Sequence, residues 1–221
     1  MTKNINALVI IPAKADSKRL IGKNKRVIAG LTLLEHSILY TKNSELVSKI
    51  IVTTEDEETK NIAESYGVKV VGRDIEFMGE REVADVYVEV FKSVGEEKYT
   101  HVVGVQPDHP DRSIPLDTML EYASKNKYDD LFTVNEDGSR NGSIRIIKAE
   151  HVKSGLVSRR VGSMKDICTN IHSEEDLKNA ERNINERIHW IFKKSKEIRI
   201  INWQRQVLSL IHIWRCRRRD Q

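Results

Sequence analysis

Cysteine is scarce in this chain: Cys168 and Cys216 are the only two in 221 residues, so at most one disulfide can form. A small scaffold held together by bridges is therefore excluded, and a reducing compartment is indicated. No apolar run approaches the roughly 20 residues that a membrane-spanning helix requires. No internal repeat is visible, which excludes a solenoid or tandem array, and there is no low-complexity linker. The opening stretch, MTKNINALVIIPAK, is too briefly apolar for a secretory signal. The expectation is a cytoplasmic protein. A strong charge of one sign is also missing. The chain has 37 Lys and Arg against 33 Asp and Glu, and without the last fifteen residues the balance is 33 to 32. Arg215, Arg217, Arg218 and Arg219 thus supply most of the net positive charge, which argues against a nucleic-acid-binding domain.

What is present is 39% hydrophobic and 32% charged residues, the balance of a chain that folds in water. Its length suits one α/β domain with a small accessory lobe. The expected domain covers 1–198, with the lobe at about 137–170, and 199–206 is left unassigned. Residues 207–221, ending in LIHIWRCRRR, break abruptly from the preceding Glu/Lys/Asn-rich composition and read as a non-native tail. The competing reading of that tail is a basic amphipathic segment for RNA or an anionic membrane.

Strand and helix signals alternate along the domain. The apolar run Ala7 to Ile11 is followed by a helix carrying Leu33, Leu34, Ile38 and Leu39, then a strand at Ile50 to Val52. Thr54 with Glu55 to Glu58 opens a helix that Gly67 closes, and Val68 to Val71 form another strand. Helices at Val83–Val94 and Asp117–Asn126 flank strands at Thr100–Val105 and Leu131. An alternating strand, Ser143–Lys148, precedes a short helix from Ala149 and a long helix opened by Ser173 with Asp176. Such alternation implies a mostly parallel sheet covered by helices.

Two constellations carry chemistry. The first strand runs into IPAKADSKRLIGKN, which places Lys14, Lys18, Arg19 and Lys23 at the carboxyl edge of the sheet, where polyanionic ligands bind open α/β folds. A nucleoside triphosphate is the natural candidate, with a solvated basic turn as the alternative. The second constellation is Gln106, Asp108 and Arg112, with Pro107 and Pro110 stopping the strand between them. A carboxylate at that edge, facing the cationic loop, suits a divalent metal bridging phosphates, unless it only caps its own turn.

The first loop resembles that of the cytidylyltransferases that activate sialic acids and related nonulosonates, and more distantly those that activate 3-deoxy-manno-octulosonate. Ile11, Pro12, Ala13, Ser17, Lys18, Lys23 and Asn24 stand in the matching places, while Lys14, Asp16 and Ile21 replace an Arg, a Gly and a Pro. The segment Gln106-x-Asp108-x-Pro110 is similar to the metal-bearing segment of the octulosonate enzymes. Gln106, Pro107, Pro110 and Arg112 resemble QPTSPLR of the sialic-acid branch. Asn141, Gly142, Ser143 and Ile144 resemble NGAIYI of the same branch, with Arg145 in place of its Tyr. The resemblance implies a three-layer α/β/α, Rossmann-like nucleotidyltransferase with a mostly parallel central sheet and a small accessory lobe. It implies nucleotide binding by Ala13, Lys14, Ser17, Lys18, Lys23, Asn24 and Arg73, and sugar-acid binding by Gln106, Arg112, Asn141 and either Arg140 or Arg145. Catalysis would rest on Lys14, Lys23 and Asp108. Two further metal aspartates of the family align with Asn170 and His172, neutral groups that grip Mg²⁺ less well than carboxylates do; the cofactor implied is Mg²⁺, carried largely by Asp108 and the triphosphate, with a softer Mn²⁺ as the alternative.

The implied reaction joins CTP to a nine-carbon 2-keto sugar acid, giving a CMP-sugar and pyrophosphate, in a homodimer. Partners are then CTP and a small acidic sugar, with no nucleic acid and no membrane. The alternatives are a sugar nucleotidyltransferase with another nucleotide or sugar, and a nucleotide-binding homologue that has lost turnover.

Overall fold

The computed structural model describes residues 5–15, 17, 19–72, 83–95, 98–154 and 160–197. The expected tail, residues 207–221, lies outside them, as do Lys18 and Arg73. The central sheet is built from β1 (Ala7–Pro12), β4 (Val47–Thr54), β5 (Lys69–Gly72), β6 (His101–Val105), β7 (Asp130–Val134), β8 (Arg140–Lys148) and β9 (Val161–Lys165). Between β1 and β4 lie the short pair β2 (Val27–Ile28) and β3 (Leu31–Thr32), which form a separate antiparallel ribbon. The helices are α1 (Leu33–Lys42), α2 (Glu57–Ser65), α3 (Val83–Val94), α4 (Leu116–Lys125), α5 (Ala149–Ser154) and α6 (Glu174–Glu197).

Strands of the seven-stranded sheet run in the order β5-β4-β1-β6-β8-β7-β9. All pair in parallel except β8, which is antiparallel to both neighbours. The reversal comes from a hairpin. Asn135 and Ser139 close it by a backbone bond of 2.8 Å, and the Asp137 carboxylate accepts from the Ser139 N–H and hydroxyl. Residues 137–170, read from the sequence as a small lobe, contribute β8 and β9 to this same sheet.

Both faces of β1 are covered, so its period of two divides the core. Ala7, Val9 and Ile11 join Leu34, Ile38, Ala63, Met119 and Leu120 under α1, α2 and α4. Leu8 and Ile10 face the other way, onto Tyr87, Val90 and Phe91 of α3 and onto Ala149 and Val152 of α5. The result is the three-layer arrangement that the resemblance implied, around the mostly parallel sheet that the alternation implied. A third, smaller cluster of Leu20, Ile28, Leu33, Ile171, Leu177 and Ala180 fastens the basic loop to α6. Each such fully buried Leu or Ile contributes about 2 kcal/mol, so the loop is packed and not merely draped over the sheet.

Local signals moved by a few residues. The α2 N-cap is Asp56, whose carboxylate accepts from the Thr59 N–H at 2.8 Å; Thr54 instead ends β4 and accepts from the Asp56 N–H. β8 begins at Arg140 because the hairpin pairs Val134 with it. Ser173 and Asp176 cap α6 reciprocally, as their spacing predicts. No described helix is long and apolar enough to cross a membrane.

Candidate active site

The loops after β1 and after β6 leave the sheet side by side at its carboxyl edge, because β1 and β6 are parallel neighbours. The β1 loop is braced twice: the Ala15 N–H donates to Glu55 Oε1 (2.8 Å), and Asn24 Nδ2 donates to the Lys14 carbonyl (2.8 Å). Gly22 adopts φ +63°, a left-handed turn that a side chain would strain, and starts the tight turn Lys23–Lys25. Lys23 Nζ meets Asp108 Oδ2 at 2.6 Å. The other oxygen of Asp108 accepts from His109 Nδ1 at 2.9 Å. Burial works against the charged Asp108, but the hydrogen bond and charge of His109 and then Lys23 outweigh it. Its carboxyl is held well below the usual carboxylate range.

A third segment closes on the pair. The Ile171 N–H donates to the Asp108 carbonyl (2.9 Å), and the Ile171 carbonyl accepts from Lys23 Nζ at 3.4 Å. This brings Asn170 and His172 alongside. Partial burial, then the positive charges of Arg19 and Lys23, lower the His172 pKa and favour the neutral ring. Lys14 and Arg19 make no ion pair among the described residues, whereas Lys25 is held by Asp56 and Glu58, and Arg26 by Glu174. The edge thus keeps cationic groups available for an anion.

The other residues expected to bind ligand make these contacts within the protein. The Ala13 N–H is spent on the Thr53 carbonyl, extending the sheet, and its side chain is buried. Asn24 is buried as the loop brace. Ser17 is half-buried, with its N–H donating to the Ala15 carbonyl. Arg112 is not at the surface: its guanidinium donates to Ser143 Oγ, Ser37 Oγ and the Gln106 carbonyl and lies over the Tyr40 ring. Asn141 accepts from Thr133 Oγ1 and the Ser143 N–H and donates to the Asp166 carbonyl. Arg145, opposite Gly104 on β6, pairs with Asp130 at 2.6 Å, at the amino end of β7. Arg140 stays at the carboxyl edge, its guanidinium 3.7 Å from the centre of the Phe132 ring. Gln106 also stays there.

Three positions escaped the sequence reading. His109 was hidden because a histidine beside prolines carries no signal of its own. Tyr87 lies on a helix whose amphipathic pattern accounts for it as core. Asp111 is fully buried, accepting from the Thr169 N–H and hydroxyl and from Asn183 Nδ2, and so ties the 166–172 segment to α6.

The sequence model of a cytidylyltransferase family matches residues 8–191 of the chain. The chain belongs to that family. It is 41% identical over 63 residues to the CMP-N,N'-diacetyllegionaminic acid synthase of Legionella pneumophila, covering 28% of this chain and 27% of that one. It is 29% identical over 140 residues to the N-acylneuraminate cytidylyltransferase of Escherichia coli (62% and 33%). With the 3-deoxy-manno-octulosonate cytidylyltransferase of Rickettsia typhi it is 32% identical over 131 residues (58% and 52%). The matches thus span about a quarter to a half of these relatives' length. Among solved structures, a CMP:2-keto-3-deoxy-manno-octonic acid synthetase complexed with CTP superposes with a TM-score of 0.66 at 14% identity, covering 82% of this chain and 99% of that one. The last comparison concerns the fold alone.

This member of the family does not assemble a divalent-metal centre from its described residues. No group of three or more His, Cys, Asp and Glu gathers there. Of the expected ligands, Asp108 already serves Lys23 and His109, and Asn170 and His172 are neutral. Asn170 Oδ1 is buried without a partner, but one amide oxygen and one neutralised carboxylate do not fit a resident Mg²⁺ or Mn²⁺, which prefers several anionic oxygens.

Proposed function

We propose that the chain transfers a cytidylyl group from CTP to a 2-keto nonulosonic, sialic-acid-like acid, giving the CMP-sugar and pyrophosphate. The observation that carries this reading is the Lys23–Asp108 contact of 2.6 Å, which joins the loops after β1 and β6 across the carboxyl edge. Lys23, with Lys14 and Arg19 beside it, supplies positive charge for the phosphates. The anomeric hydroxyl of the sugar acid attacks the α-phosphorus and loses its proton as the bond to pyrophosphate breaks. The chain's contribution is positioning and charge neutralisation, and no covalent nucleophile is required.

Choice of the nine-carbon acids over octulosonate is supported by Asn141, Gly142, Ser143 and Ile144 and by the likeness to the legionaminic-acid enzyme. Mg²⁺ or Mn²⁺ enters this reading as a companion of the triphosphate, not as a resident of the protein. A cytoplasmic homodimer belongs to the same reading. Pyrophosphate release from CTP, measured across a panel of sugar acids with and without each metal, tests it: turnover with a nonulosonate supports the proposal, and turnover with octulosonate alone removes the sugar assignment. The neutral Asn170 and His172 favour one competitor, a nucleotide-binding homologue. Tight CTP binding without turnover in either metal would establish that competitor instead.

A further inference from the structure

We infer that Tyr87 is a positioning residue for the sugar-acid site, acting through Gln106; the inference rests on the sugar-activating reading above. Gln106 follows the last residue of β6 at the carboxyl edge. Its backbone is fixed on both sides: the N–H donates to the Ser143 carbonyl at 3.0 Å, and its own carbonyl accepts from the Arg112 guanidinium. The side chain is fixed as well, Nε2 donating to the Tyr87 hydroxyl at 3.2 Å. Tyr87 belongs to α3 and is only 3% exposed. It reaches β6 because the strand carries a glycine under the ring, where a Cβ on Gly104 would stand 2.0 Å from the phenolic oxygen.

Of the residues expected to bind the sugar acid, Arg112, Asn141 and Arg145 are spent on protein partners, which leaves Gln106 and Arg140 at this edge. With Nε2 committed to the phenol, Oε1 has no hydrogen-bond partner among the described residues and remains as an acceptor. A half-buried acceptor recognises a donor, here a hydroxyl or N-acyl N–H of the sugar acid. Phosphate oxygens are acceptors, so the triphosphate gains nothing from it. The cytosine amine and ribose hydroxyls of CTP are donors as well, and the separate KM values for CTP and for the sugar acid distinguish them from the sugar.

The test compares full-length wild type, Tyr87→Phe and Gln106→Asn in steady-state pyrophosphate release, with CTP and the sugar acid that wild type uses. Tyr87→Phe keeps the ring over Gly104 and removes only the hydroxyl. The expected result is a rise of about five- to tenfold in KM for the sugar acid, as for loss of one neutral hydrogen bond, with kcat and KM for CTP within about twofold of wild type. Gln106→Asn, whose amide is one methylene too short for the phenol, is expected to give the same split. An unchanged sugar KM in folded Tyr87→Phe overturns the inference, and so does an equal rise in both KM values, the mark of a structural role. If Tyr87→Phe does not fold, Gln106→Asn decides by the same criterion. A wild type silent with every sugar acid removes the functional reading and the inference with it, and the wild-type assay tells that failure apart from the others.

Discussion

Lys23 and Asp108 hold each other at 2.6 Å with their side chains 17% and 20% exposed, so Lys23 cannot turn to a triphosphate without weakening its hold on the carboxylate. Removing that carboxylate's charge should therefore help an anion bind, whatever it does to turnover. Asp108→Asn is expected to tighten CTP binding in EDTA about fivefold by calorimetry, from about 1 kcal/mol of relieved repulsion, while pyrophosphate release falls. Weaker binding would show that Asp108 does not oppose the phosphates. Both residues were legible in the sequence, since a cation-rich loop and an acid each follow an apolar strand and parallel strands deliver them to one edge. Arg112, Asn141 and Arg145 were not legible as structural residues. Their hydrogen-bond partners include Ser37 and Ser143, Thr133 and Asp166, and Asp130, and which one lies nearby depends on strand order, which composition and spacing leave open.

Among elements, the helix–strand alternation was readable because each strand is a short apolar run and each helix has an acidic or hydroxyl start. The reversal of β8 was not, because the alternation rule anticipates parallel strands and the hairpin turn at Asp137 only shows its direction once β8 is seen between β6 and β7. Neither was the match of Gly104 to Tyr87, which requires knowing that α3 crosses β6. Gly104→Ala is expected to destabilise the protein by about 2–4 kcal/mol, since the ring must move off the strand. A melting curve within error of wild type would mean that α3 does not rest on β6 in this way.

For the whole molecule, burial of histidines sets the response to acid. Burial, and then the charge of Lys148, lowers the pKa of His101 from 6.5 to about 4, and burial lowers that of His36 as well. Between those values the unfolded chain binds more protons than the folded one, so stability is present above pH 6.5 and is lost as the pH falls toward 4. His101 accounts for up to about 3 kcal/mol of that loss. Thermal melts across this range should show His101→Gln with a flatter decline than wild type, and parallel declines would remove His101 as a cause. The fold that presents the site is one layered domain, and its central functional claim is that Lys23 at the sheet edge neutralises the phosphates of CTP. The most direct measurement is pyrophosphate release from CTP and a nonulosonic acid by wild type and by Lys23→Ala, with folding of the variant checked by its melting curve. The account predicts a loss in kcat/KM on the order of a hundredfold or more, and full activity in a folded Lys23→Ala would contradict it.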